Sequence, residues 1–219
     1  MKSLWLMSPL VASLLGENNL TLNVQKTKEM VFDFRRKESL ELRPLEIGGQ
    51  AVERVSEFRF LGTTISDNLN WGAHCSSVHR KAQQRLYFLR HLKKFRASRK
   101  LLLQFYRATV ESVLTQSITI WYAAASEEDK YKLDRVIKSA SKTVGCDLPS
   151  LSDIYTRRMT KRATNIARDG THPASHLFTT MRSGRFRAIP SRTGRMGKSF
   201  FPCAVQCLNG NFTRGQEGP

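Results

Sequence analysis

An α+β fold is the expectation from this sequence, and three observations carry it. Short alternating and β-branched stretches occupy residues 20–65, apolar residues at three-and-four spacing run from Ala82 to Ile166, and Gly, Pro, Ser and Arg dominate from Thr171 onward. The sequence therefore predicts a small β-rich part over 17–67, a mainly helical bundle over 68–169 and a disordered basic tail over 170–219. Residues 1–16 stand apart from all three.

The opening MKSLWLMSPLVASLLGE imitates a secretory signal, with Lys2 ahead of an apolar run and Ala12 and Ser13 near its end, but Pro9 interrupts the run. No uncharged apolar run reaches the roughly 20 residues that a bilayer crossing requires. From Leu20 to Phe34, LTLNVQKTKEMVFDF alternates on both sides of a basic turn, which predicts two short strands around Gln25 to Lys28. After a polar insert, Leu45 to Ile47, Gly48-Gly49 and Ala51 to Val55 read as a hairpin. Phe58 to Ile65, FRFLGTTI, reads as one further strand. The change from strands to helices suggests a boundary near Asp67.

The centre of the chain runs from Arg80 to Trp121. Ala82, Leu86, Leu89 and Leu92 fall on one helical face, Ser98 suits an N-cap, and Leu102, Phe105, Tyr106, Val110, Val113, Leu114 and Trp121 continue the period in a second helix. The two predict an αα-hairpin. Ser126-Glu127-Glu128-Asp129 predicts another helix start, with Leu133, Val136, Ile137, Ala140 and Val144 on one side and Gly145 as its stop. Pro149 introduces a last helix carrying Leu151, Ile154, Met159, Ala163 and Ile166, ended by Asp169-Gly170.

Charge points to a partner. Thirty-six Lys and Arg face 18 Asp and Glu in 219 residues, a net charge of +18 with a pI near 10.3. No acid lies between Asp67 and Glu111, and after Arg157 only Asp169 and Glu217 interrupt the cations. A solvated surface alternates its signs, so this pattern favours a nucleic acid, RNA or an RNA–DNA duplex, over mere solubility. The candidate contacts are Lys26, Lys28, Arg80, Lys81, Arg85, Arg90, Lys93, Lys94, Arg96, Arg99 and Lys100. Trp71, Trp121, Tyr106 and Phe105 sit at helical spacing and are assigned to the core rather than to base stacking.

Four cysteines, Cys75, Cys146, Cys203 and Cys207, are too few and scattered for a disulfide framework, which favours a nuclear or cytoplasmic setting over a secreted one. His172, His176, Cys203 and Cys207 could supply a zinc set, but their order departs from that of the common fingers. Gly194 to Ser199 mimics a phosphate loop, yet Arg192 stands where glycine is needed and no buried strand precedes it. Asp33, Asp67, Asp129, Asp134, Asp147, Asp153 and Asp169 are isolated from one another, so no metal, cofactor or catalytic residue is assigned.

The motifs LNVQKTKEMVFDFR, VERVSEFRFLGTTIS, KAQQRLYFLRHLKKF, YRATVESVLTQSITIW, RVIKSASKTVG and SFFP together resemble the C-terminal part of a non-long-terminal-repeat retrotransposon reverse transcriptase, over about Glu17 to Asn211. The resemblance implies a fourth palm motif with Lys26 near the incoming triphosphate and a primer grip at Phe60, Leu61 and Gly62. It further implies a thumb from about Ser76 to Gly145 that holds a primer–template duplex by its backbone. The family's Ala-Asp-Asp motif would fall upstream of Glu17, so polymerase activity is not expected. Ser77 to Tyr122 also resembles sequences grouped under the N-terminal domain of AlkB homologue eight, which implies a link to tRNA modification by a 2-oxoglutarate dioxygenase and a methyltransferase. None of His74, His79, His91, His172 or His176 is followed two places later by Asp, as the iron-binding motif of that dioxygenase needs. A third reading is a translated pseudogene without a stable fold.

Overall fold

A computed structural model describes residues 17, 23–34 and 42–214. The signal-like opening, most of the polar insert and the extreme C-terminus lie outside them. The architecture is α+β, with short strands preceding a run of helices. The chain separates into two compact units, residues 1–58 with 66–69, and residues 59–65 with 70–219.

In the smaller unit, Asn23 caps a 3-10 turn, Val24–Lys26, by accepting from the Lys26 N–H at 3.1 Å. That side-chain bond curls the chain at the basic turn between the two expected strands, the first of which lies largely outside the described residues. Strand β1 is only Lys28–Glu29, and no second strand follows within 31–34. It pairs in parallel with β4, Glu53–Arg54, through Lys28 beside Glu53 and Glu29 beside Arg54. Between them, β2, Glu46–Ile47, and β3, Gln50–Ala51, form the expected hairpin. Its turn residues Gly48 and Gly49 both have positive φ, +58° and +77°, the pattern of a two-residue turn that matches strand twist.

The expected strand over Phe58 to Ile65 is instead two. β5, Glu57–Phe60, turns at Leu61-Gly62 into β6, Thr63–Ser66, with φ of +46° and +83° at the turn. Helix α1, Gly72–Lys94, follows and buries His74, Cys75, Val78, Ala82, Leu86 and Leu89. It crosses α5, Glu127–Val144, whose Leu133, Val136, Ile137, Ala140 and Val144 are all buried as their period predicts.

The expected second helix is divided. Ser98 caps α2, Arg99–Phe105; a π-helical stretch, Tyr106–Glu111, leads into α3, Ser112–Leu114; and a break precedes α4, Ile118–Trp121. The buried residues explain the wide turns. Leu102, Tyr106, Val110, Leu114 and Ile118 recur every four positions, and in an α-helix each such step overshoots a full turn by about 40°. A π-helical stretch holds the row on one face. At the break, Ser117 adopts φ +51°, and carbonyls there find side-chain partners: Arg158 donates to Thr115 at 2.7 Å and the Trp121 indole to Gln116 at 2.9 Å.

Helix α6, Leu151–Arg168, opens with a capping box in which Ser150 and Asp153 exchange hydrogen bonds, and buries Leu151, Ile154, Tyr155, Met159, Ala163 and Ile166. The expected disorder beyond Thr171 is corrected up to Gly210. Helices α7, Gly194–Gly197, and α8, Phe200–Arg214, follow, and α8 packs on α6 with Cys203, Ala204 and Val205 buried. Phe178 meets Phe186 and Phe201 edge-on, Arg162 lies over the Phe200 ring, and Asn209 exchanges two hydrogen bonds with the Phe186 backbone. These aromatic contacts join separate pieces of chain, so no period announces them. Among the described residues no helix is long and apolar enough to cross a membrane.

Candidate nucleic-acid interface

Helix α1 presents its cations because its other face is committed to the core. Arg80, Arg90, Lys93 and Lys94 are exposed along it, and Arg96, Arg99 and Lys100 continue the row through the turn and into α2. Arg96 turns the corner with φ +57°. Lys81 and Arg85 are half-buried. Burial, and then the like charges of Arg59, Arg85 and Arg80, hold the Lys81 ammonium below its ordinary pKa. Three guanidinium groups therefore lie near enough to Lys81 to add to the effect of its burial, which concentrates like charge on this side of α1.

Arg59 belongs to this group although composition alone did not single it out. It sits on the β5–β6 hairpin, whose tip is tied to the helices by Gln116: the Gln116 Nε2 donates to the Leu61 carbonyl at 2.6 Å. A Cβ at Gly62 would lie 2.4 Å from that nitrogen and push the flexible Gln116 amide aside, while the φ of +83° is what favours glycine there. The hairpin thereby holds Phe60 and Leu61 out in solvent, 56% and 78% exposed. Behind it, the buried His74 accepts from the Thr64 N–H through Nδ1 at 3.3 Å and lies edge-on to Trp71 and Trp121. Burial, then the charge of Lys81, lowers its pKa to about 4. His74 is thus a neutral strut for the hairpin.

Not every expected contact residue is available. Arg85 Nη1 donates to the Thr109 carbonyl of the π-helical stretch at 2.7 Å, and Arg90 Nη2 donates to Ser139 Oγ of α5 at 2.8 Å. Both hold the bundle together, a role hidden in a sequence that shows only their charge. Lys26 is exposed in the smaller unit, where Lys28 pairs with Glu53 and is not a ready phosphate ligand. Arg107 lines a hollow that also contains Glu111 and Asp147, a mixed-charge setting unlike that of α1. Tyr106 and Trp121 are fully buried and Trp71 nearly so, in the core positions that helical spacing assigns them, while Phe105 is half-buried.

Among the described residues no group of three or more His, Cys, Asp or Glu comes together to hold a metal ion. Instead, His172 Nδ1 accepts from the Ala174 N–H, His176 bonds the Pro173 carbonyl, and Cys203 Sγ donates to the Gly197 carbonyl. The loop-like Gly194 to Ser199 is the short helix α7, capped by the Thr193 side chain.

A family model described as alkylated DNA repair protein alkB homolog 8, N-terminal, matches residues 71–112. The stretch is similar to that domain. The match covers under a fifth of the chain: α1, the cationic turn, α2 and the π-helical stretch. It lies somewhat upstream of the Ser77 to Tyr122 span expected from the sequence. No curated protein and no solved structure matches the chain. The expected likeness to reverse transcriptases has no counterpart among these comparisons.

Proposed function

We propose that the protein is a non-catalytic, sequence-independent nucleic-acid-binding module that contacts phosphates through α1, the following turn and the β5–β6 hairpin. The observation that supports this most directly is the exposed row Arg80, Lys93, Lys94, Arg96, Arg99 and Lys100 in a stretch with no acid between Asp67 and Glu111, beside which Arg59 adds to the charge around Lys81. Phe60 and Leu61 add an exposed apolar tip on the hairpin. Contacts of this kind position a backbone without reading bases. A thumb holding a primer–template duplex would use the same contacts, a reading that rests on the motif resemblance alone.

The test is the double variant Arg80→Gln/Lys81→Gln. It should weaken binding equally for unrelated RNA sequences and lower the salt slope by about two, one for each phosphate contact removed. Unchanged affinity and slope would dismiss the proposed surface.

The match over residues 71–112 favours a second reading, in which the module serves alkylation chemistry on nucleic acid. Turnover of 2-oxoglutarate in the presence of iron, or methyl transfer to RNA, would establish it. His172, His176 and Cys203 make local hydrogen bonds, and among the described residues no three His, Cys, Asp or Glu come together.

A further inference from the structure

The outward face of α1 carries an unusual number of aromatic rings. Tyr87, Phe88 and Phe95 are 55%, 56% and 81% exposed, and the His91 ring lies 4.2 Å from that of Tyr87. Between this face and the π-helical stretch runs an open groove of about 470 Å³, lined by Arg85, Phe88, Leu92, Phe95, Phe105 and Ala108 among others. The small Ala108 leaves the space, and the bond from Arg85 to Thr109 fixes the facing wall.

We infer that this groove receives an unpaired base of a bound single strand, stacked on Phe88 and Phe95, while the cations at its rim hold the flanking phosphates. The inference rests on the nucleic-acid reading above and adds to it a preference for single-stranded over paired substrate. Two features identify the occupant. The charge around it is of one sign in sequence: Arg85 lines the groove, the exposed Lys93 and Lys94 end α1, and the exposed Arg96, Arg99 and Lys100 follow through the turn into α2, with no acid in the stretch. The lining is aromatic, and a ring accepts any base by its π face without needing its hydrogen-bonding edge. An acidic amphipathic peptide meets the same charge but would occupy only part of an exposed cationic row that runs from Arg80 through Lys93, Lys94 and Arg96 to Lys100.

The full chain is titrated with a single-stranded oligoribonucleotide carrying one 2-aminopurine, with the same strand paired to its complement, and with an abasic version. The wild type should bind the unpaired strand more tightly than the duplex and quench the 2-aminopurine. Phe88→Ala and Phe95→Ala should each weaken single-strand binding about tenfold while leaving duplex affinity and the salt slope unchanged. Both residues are exposed, and matching thermal melts establish that the variants fold. Single-strand affinity unchanged in both variants, equal affinity for the abasic strand, or displacement of the strand only by an acidic amphipathic helix would overturn the inference while leaving backbone binding intact. Absence of binding to any of the probes by the wild type would overturn both.

Discussion

His74 shows how a single residue can be placed by the fold and still be invisible as such in the sequence. A lone histidine near a helix start reads as one of five, yet here it is enclosed between two tryptophans with Nδ1 on the Thr64 N–H and no partner for Nε2. Folding lowers its pKa from 6.5 to about 4, so the folded state favours the neutral ring. Its contribution is fully present above pH 6.5 and is lost as the pH falls through 4, about 3 kcal/mol in all. Urea unfolding at pH 7 and pH 4 should therefore show a larger loss for the wild type than for His74→Gln; equal losses would remove His74 as the cause. Gly62 makes a second case. Gly62→Ala forces a Cβ into a left-handed φ at a cost of roughly 1–2 kcal/mol and displaces the Gln116 amide from Leu61. A lowered unfolding midpoint, with the hairpin amides newly open to hydrogen exchange, is the expected result.

At the scale of elements, the amphipathic helices were the most legible. The faces of α5 and α6 follow directly from their period, because each buries one continuous stripe against a neighbour. The second half of the αα-hairpin was legible only in part. Its four-residue spacing from Leu102 to Ile118 was present in the sequence, but reading it as an ordinary helix hid the π-helical stretch and the break at Ser117. Leu61-Gly62 likewise sat inside an apparent strand and marked a turn. Arg85 connects these elements, and its charge masked a structural bond. Arg85→Met keeps the apolar stem but removes the donor to Thr109, so stability should fall by about 1.5–3 kcal/mol, the range for a hydrogen bond from a charged group. Denaturant unfolding measures this, and an unchanged midpoint would show that the π-helical stretch stands without it.

Across the whole molecule, net charge was the clearest signal and the C-terminal fold the faintest. A pI near 10.3 and an acid-free centre need no structure to interpret. The packing of Phe178, Phe186, Phe200 and Phe201 does, because Phe178 reaches both Phe186 in the loop and Phe201 on α8, at separations that follow no helical or strand period. The same distinction governs the proposed interface: the cations of α1 and its turn were evident from composition, whereas Arg59 joins the proposal only through the hairpin that Gln116 holds. The decisive measurement is a titration of the intact protein with an RNA of arbitrary sequence at rising salt. Cation-driven contact with phosphates predicts that log K falls linearly with log salt, by about a thousandfold or more between 50 and 200 mM for six contacts. Binding that ignores salt, or none at 50 mM, would contradict it.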